Sequence, residues 1–117
     1  YRFRPFMRPL PKLTVRAAIA MLKAASAEYG EAIVDGRFAK TVEYQDGRGF
    51  VLQAERMIDS VSGELQRTDR GALSALREKL AAYKRIWPSA MPPAQPVLDA
   101  ASVASLAVEI EKIGGLF

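Results

Sequence analysis

Thr68-Asp-Arg-Gly-Ala-Leu-Ser-Ala-Leu-Arg-Glu-Lys-Leu-Ala-Ala-Tyr-Lys-Arg-Ile-Trp-Pro88 decides the fold class. Leu73, Leu76, Leu80, Tyr83 and Trp87 recur at spacings of three and four, the period of a helix with one buried face. Thr68 or Asp69 offers a side-chain oxygen to the first free backbone N–H groups. Lys79, Lys84 and Arg85 suit the negative end of the helix dipole. Pro88 cannot continue the helix, because it lacks the N–H and clashes with the preceding turn. The stretch therefore predicts a helix over 70–87.

Downstream, four prolines stand within nine positions: Pro88, Pro92, Pro93 and Pro96. Residues 88–96 thus read as a stiff crossing segment. Asp99 is placed to cap a last helix over 99–113, with Val103, Leu106, Ile110 and Ile113 inward and Gly114-Gly115 at its end. Upstream, Val51, Ala54, Ile58, Val61 and Leu65 make a regular stripe, widened by Phe50 and Met57, in a helix over 41–66. Gly47 and Gly49 each cost about 1 kcal/mol relative to Ala, which weakens its first turns. Val15, Ala18, Ile19, Leu22, Ala25, Tyr29 and Ala32 mark a first helix over 14–35. Asp35-Gly36 stops it, Gly36 being free to take the left-handed cap conformation. No β-pattern and no internal repeat is visible.

Short links make successive helices antiparallel neighbours. The expected fold is all-α, a small antiparallel four-helix bundle with the proline-rich segment crossing before the last helix. Ile58, Leu76, Leu80 and Leu106, each mid-stripe, are expected in its core. Residues 1–13, with Pro5, Pro9 and Pro11, read as a basic arm, and 14–117 as the single domain.

Composition fits that reading. A chain of 117 residues, 50% hydrophobic and 26% charged, builds one core without staples. It holds no apolar run of about 18 residues, the length that crosses a bilayer. It has neither cysteine nor histidine. That excludes Ser-His-Asp and Cys-His catalysis, disulfides and the usual zinc sites. The chain is expected not to be an enzyme. The net charge of +4 is unevenly spread. Arg2, Arg4, Arg8, Lys12, Arg16 and Lys23 precede the first acid, whereas the remainder carries eleven cations against thirteen acids. Such an arm could meet an anionic membrane surface or nucleic acid. No nucleic-acid-binding signature accompanies it, and the plain reading is a solvated tail. Ala17-Ala-Ile-Ala-Met-Leu22, followed by Ala25-Ser-Ala27, has the small-residue look of a signal-peptide end. Lys23 interrupts it, and it reads as helix.

One constellation carries possible chemistry. Glu28, Glu31 and Asp35 lie at i, i+3 and i+7 on one face of the first helix. Glu43 and Asp46 are three apart at the start of the second. A hairpin about Gly36 brings Glu31, Asp35, Glu43 and Asp46 to the same end, flanked by Tyr29 and Tyr44 as further oxygen donors. Converging carboxylates are what a hard cation needs to replace its water ligands. Without His or Cys, oxygen is the only strong ligand type on hand. The alternative is that Arg37, Lys40 and Arg48 pair with these acids as surface salt bridges, with Tyr29 in the core. Glu55 with Asp59, and Glu109 with Lys112, read as solvated faces. Trp87 and Tyr83 read as a core plug against the proline segment.

The segment Ala27-Glu-Tyr-Gly-Glu-Ala-Ile-Val-Asp-Gly36, followed by Val42-Glu-Tyr-Gln-Asp46, resembles the extracytoplasmic helical region of bacterial high-affinity iron permeases. An acid-Tyr pair, a turn with glycine, then Glu-Tyr and a further acid make up the pattern. Trp87-Pro-Ser-Ala-Met-Pro-Pro93, Pro96-Val-Leu-Asp99 and the last amphipathic helix extend the resemblance over about residues 17–113. Lys23 stands where the family pattern has an acid, and the permease's membrane segments are absent from this sequence. The resemblance implies a periplasmic, iron-uptake role without transport itself. Iron is then the cation expected at the acids, and an iron permease or a periplasmic electron-transfer protein the expected partner. A helical protein–protein interaction module without metal, or a basic-arm binder of anionic surfaces, is the alternative.

Overall fold

A computed structural model describes residues 10–117. Helix α1 spans Pro11–Ala32, α2 Thr41–Ser60, α3 Ser62–Thr68, α4 Arg70–Lys84 and α5 Ala100–Gly114. The fold is all-α, with one small hairpin of strands, β1 Ile33–Val34 and β2 Arg37–Phe38. Since α2 and α3 are one bent rod, the architecture is the expected four-helix bundle.

The first helix begins three residues earlier than its apolar stripe suggests. Pro11 sits in the first turn, where its missing N–H is no loss and its fixed φ suits the helix. Residues 11–13 of the expected arm are therefore helical; residues 1–9 lie outside the described residues.

The other end of α1 departs from expectation too. The helix stops at Ala32, and the chain turns through a hairpin pairing Ile33 with Phe38 and Val34 with Arg37. Asp35 (φ 53°) and Gly36 (φ 77°) both lie in the left-handed region. Two such residues in a row make the tight hairpin turn for which Asp-Gly is the strongest short signal. The same dipeptide read as a helix stop was thus a turn, and strands too short for an alternating pattern were invisible.

The predicted second helix breaks at Val61 (φ −119°, ψ 13°). On either side, Ser60 donates to the Met57 carbonyl (2.6 Å) and Ser62 to the Asp59 carbonyl (3.0 Å). Side-chain bonds of this kind compete with the helical ladder. The stripe nonetheless survives the bend, because Val61 and Leu65 are both buried. At the end of α4 the chain tightens into i→i+3 bonds, Ile86 N–H to Tyr83 O and Trp87 N–H to Lys84 O, both 3.1 Å. Trp87 falls just past the helix yet stays buried.

Asp69 caps α4 by accepting from the Ala72 N–H at 2.9 Å, and Asp99 caps α5 by accepting from Ser102 N–H at 2.7 Å. That bond holds the Asp99 carboxyl below its ordinary range.

All seven stripe residues of α1 are buried, as are Val51, Ala54 and Ile58 of α2 and Leu76 and Leu80 of α4. On α5 the expectation shifts by one position. Leu106 and Ile113 pack only at the margin of the core, while Ala107 and Gly114 face inward with Val103 and Ile110. Small residues let α5 approach α1 closely. A Cβ on Gly114 would overlap the Ile19 side chain. Gly47 has a similar reason to be in a helix: its Cβ would stand 3.1 Å from Trp87 Nε1 and 3.2 Å from the Ala25 carbonyl oxygen.

Five rings run through the centre: Tyr44, Phe38, Tyr29, Trp87 and Tyr83, with successive centroids 4.9, 5.4, 5.1 and 5.3 Å apart. The hairpin contributes Phe38, which packs against the core from its margin. Two of the phenols also fix the proline segment. Tyr44 donates to Ser89 O (2.8 Å) and Tyr29 to Leu98 O (2.6 Å), at its two ends. A chain that cannot use its own backbone ladder is held by side chains instead.

Candidate functional site

The antiparallel packing of α1 and α2 places Glu28 and Glu31 beside Asp46 and Glu43. Partial burial, followed by the charges of Glu31, Asp46 and Glu43, raises the Glu28 carboxyl above its ordinary range. These four carboxylates form one acidic face. None of them has an ion pair among the described residues, and Arg37, Lys40 and Arg48 do not supply one.

Glu28 and Glu31 lie near the C-terminal end of α1, and the last turn holds no basic residue. The helix dipole disfavours carboxylates there. Glu43, in the first turn of α2, is at the favourable end. Two of the four acids therefore sit against both the dipole and their neighbours.

The sequence expected more of this region than the structure brings together. Asp35 is carried away on the exposed hairpin turn and is not among the charges acting on Glu28. Tyr29 and Tyr44 do not serve as ligands here. Both are wholly buried and donate their protons to Leu98 and Ser89 carbonyls. Burial raises both phenols above the ordinary tyrosine range, which opposes the ionised form a metal would require. Among the described residues no group of three or more acids has the geometry of a metal site. The acids form an open surface rather than a cage.

Four other acids contrast with this face. Lys84 meets Glu55, Arg77 meets Asp59, Lys79 meets Glu109 and Lys23 meets Glu111, each at 3.1 Å. All four pairs join different helices. Glu55, Asp59 and Glu109 therefore do more than solvate a face. Lys23 is committed to α5. Sequence spacing within one helix could not reveal partners 18 to 88 residues away.

No helix among the described residues is long and apolar enough to cross a membrane. No curated protein and no solved structure matches the chain. The family model of the iron permease-associated 4-helix bundle domain matches residues 8–113. With the acid-Tyr pattern on its first hairpin and that match along nearly its whole length, the chain belongs to the iron permease-associated 4-helix bundle domain family, which places it in the context of iron uptake.

Proposed function

We propose that this is a non-enzymatic, periplasmic domain of an iron-uptake system, and that its α1–α2 acidic face gathers iron cations by charge without chelating them. The observation supporting this reading is the set of unpaired carboxylates Glu28, Glu31, Glu43 and Asp46. They raise the potential energy of the empty domain, and two of them sit at the wrong end of a helix dipole. An approaching cation relieves that repulsion, and its local concentration rises at the face. Weak, fast-exchanging attraction suits a domain that passes iron to a permease better than a closed cage would.

Manganese(II) serves as a paramagnetic probe of hard-cation binding, with ferrous iron titrated calorimetrically under anaerobic conditions. At low salt, manganese should broaden the amide signals around residues 28–31 and 43–46 first. Binding should be in the millimolar range and fade over a few-fold rise in ionic strength as screening shortens the field. The fourfold variant Glu28→Gln, Glu31→Gln, Glu43→Gln, Asp46→Asn should lose it. Manganese broadening spread evenly over the surface, or unchanged in that variant, would refute the reading.

A further inference from the structure

A second surface of the molecule has the opposite charge. Where α2 and α4 diverge toward the end of α4, a half-open cleft of about 600 Å³ lies between them. That falls within the range of about 300–1,000 Å³ typical of small-molecule sites. Val51, Leu52 and Trp87 give it an apolar floor, and Arg48, Lys84 and Arg85 bring cations to its edge. Glu55 is the acid in the lining and is already held by Lys84 at 3.1 Å. Arg48 and Arg85 have no carboxylate partner among the described residues. The cleft therefore offers two free guanidinium groups over an aromatic and aliphatic base.

We propose that this cleft binds a small organic anion with an apolar body, of the arylalkanoic or branched alkanoic carboxylate class. The guanidinium fork matches the two oxygens of a carboxylate. The floor rewards a hydrocarbon or aromatic body, which inorganic phosphate lacks. The size of the cavity fits a molecule of that class rather than a folded partner. The floor is also firmly placed. Trp87 is clamped between Tyr29 and Tyr83 and pressed against Gly47, so a ligand meets a surface that is already formed. The acidic face on the other side of Gly47 plays no part in this binding, and either reading can fail alone.

Trp87 is the sole tryptophan, so its indole N–H gives one assignable NMR signal. The full chain, labelled with nitrogen-15, is titrated with phenylacetate and, separately, with its uncharged counterpart phenylacetamide. Phenylacetate should shift the Trp87 indole and the amides of Arg48, Leu52 and Arg85 saturably, and phenylacetamide should bind at least about tenfold more weakly. The double variant Arg48→Gln/Arg85→Gln, at one half-buried and one exposed position, should keep a folded spectrum and lose about tenfold in affinity. Ala81→Leu, which fills the cleft from its exposed rim, should block binding of both compounds. Equal affinity for the acid and the amide would overturn the proposal. So would shifts that never saturate, or that persist unchanged in the two variants.

Discussion

Four carboxylates, Glu55, Asp59, Glu109 and Glu111, each meet a cation from another helix at 3.1 Å. Four others, Glu28, Glu31, Glu43 and Asp46, face one another with no ion pair among the described residues. The two groups do not differ in residue type: each is three Glu and one Asp. They differ in what the fold brings opposite them. On the paired side, α2 faces α4, α4 faces α5 and α1 faces α5, with a basic residue opposite each acid. On the acidic side, α1 and α2 present acids to each other and their cations turn elsewhere. An uncompensated cluster is a standing cost to stability. The comparison therefore gives the paired side structural work, and it is the unpaired side on which the proposed function rests.

The largest effect that could break this assignment lies beneath the paired side. Leu80 is buried among the residues of the central core. Leu80→Ala should destabilise by about 2–5 kcal/mol, through lost apolar burial and the cavity left behind. Urea unfolding followed by circular dichroism measures it. A loss below about 0.5 kcal/mol would mean that α4 is not anchored where the comparison requires.

A smaller effect tests the tie between the hairpin and the proline segment. Tyr29→Phe keeps the ring contacts but removes the proton donated to Leu98 O at 2.6 Å, at a cost of about 0.5–1.5 kcal/mol. Burial of the central phenols sets an alkaline limit. Burial raises the phenols of Tyr29, Tyr44 and Tyr83 above the ordinary tyrosine range. Their neutral forms belong to the folded state, so the folded pKa values exceed the unfolded value of about 10. This stability is fully present below about pH 10 and is lost as the pH rises through the raised folded values. Melting temperature should fall with pH above that point, and less steeply in the Tyr29→Phe/Tyr44→Phe variant. An identical slope in that variant would show that burial does not hold these two phenols neutral.

The same contrast separates what could be read in the sequence from what could not. Helices were legible because burial repeats with the helical period, as at Leu73, Leu76, Leu80 and Tyr83. Caps were legible because Asp69 and Asp99 act within three residues. The hairpin was not, since Asp35-Gly36 is compatible with both a helix stop and a tight turn. The bend at Val61 was hidden for a similar reason: the apolar stripe runs straight through it. Pairing across helices was beyond reach, because Glu55 and Lys84 are chosen by packing rather than by spacing. At the candidate site Glu31, Glu43 and Asp46 were legible from the hairpin and Glu28 from its spacing to Glu31, while Asp35, grouped with them, is carried off by the turn. The engagement of Tyr29 and Tyr44 was not, because their partners are backbone carbonyls of a segment 45 to 69 residues away. The basic cleft went unread altogether, since Lys84 and Arg85 look like ordinary companions of a helix terminus.

The smallest effect is the most discriminating, because the comparison predicts a change of sign. Glu109→Gln removes a charge that Lys79 holds at 3.1 Å and should destabilise by about 0–1 kcal/mol, as exposed pairs do. Glu28→Gln keeps the shape of the side chain and removes a charge opposed by Glu31, Asp46 and Glu43. It should stabilise by about 0.2–0.5 kcal/mol. The titration of Glu28 gives the same sign. Its folded pKa is raised, so its contribution to stability is present below the ordinary carboxylate value and is lost as the pH climbs through the raised one. Glu28→Gln should therefore gain its advantage at neutral pH and show little in acid. Concentrated salt should shrink both effects toward zero, since screening weakens attraction and repulsion alike. If Glu28→Gln instead destabilised the domain as much as Glu109→Gln, the acidic face would be holding the fold together. Its carboxylates would then need no cation to explain them.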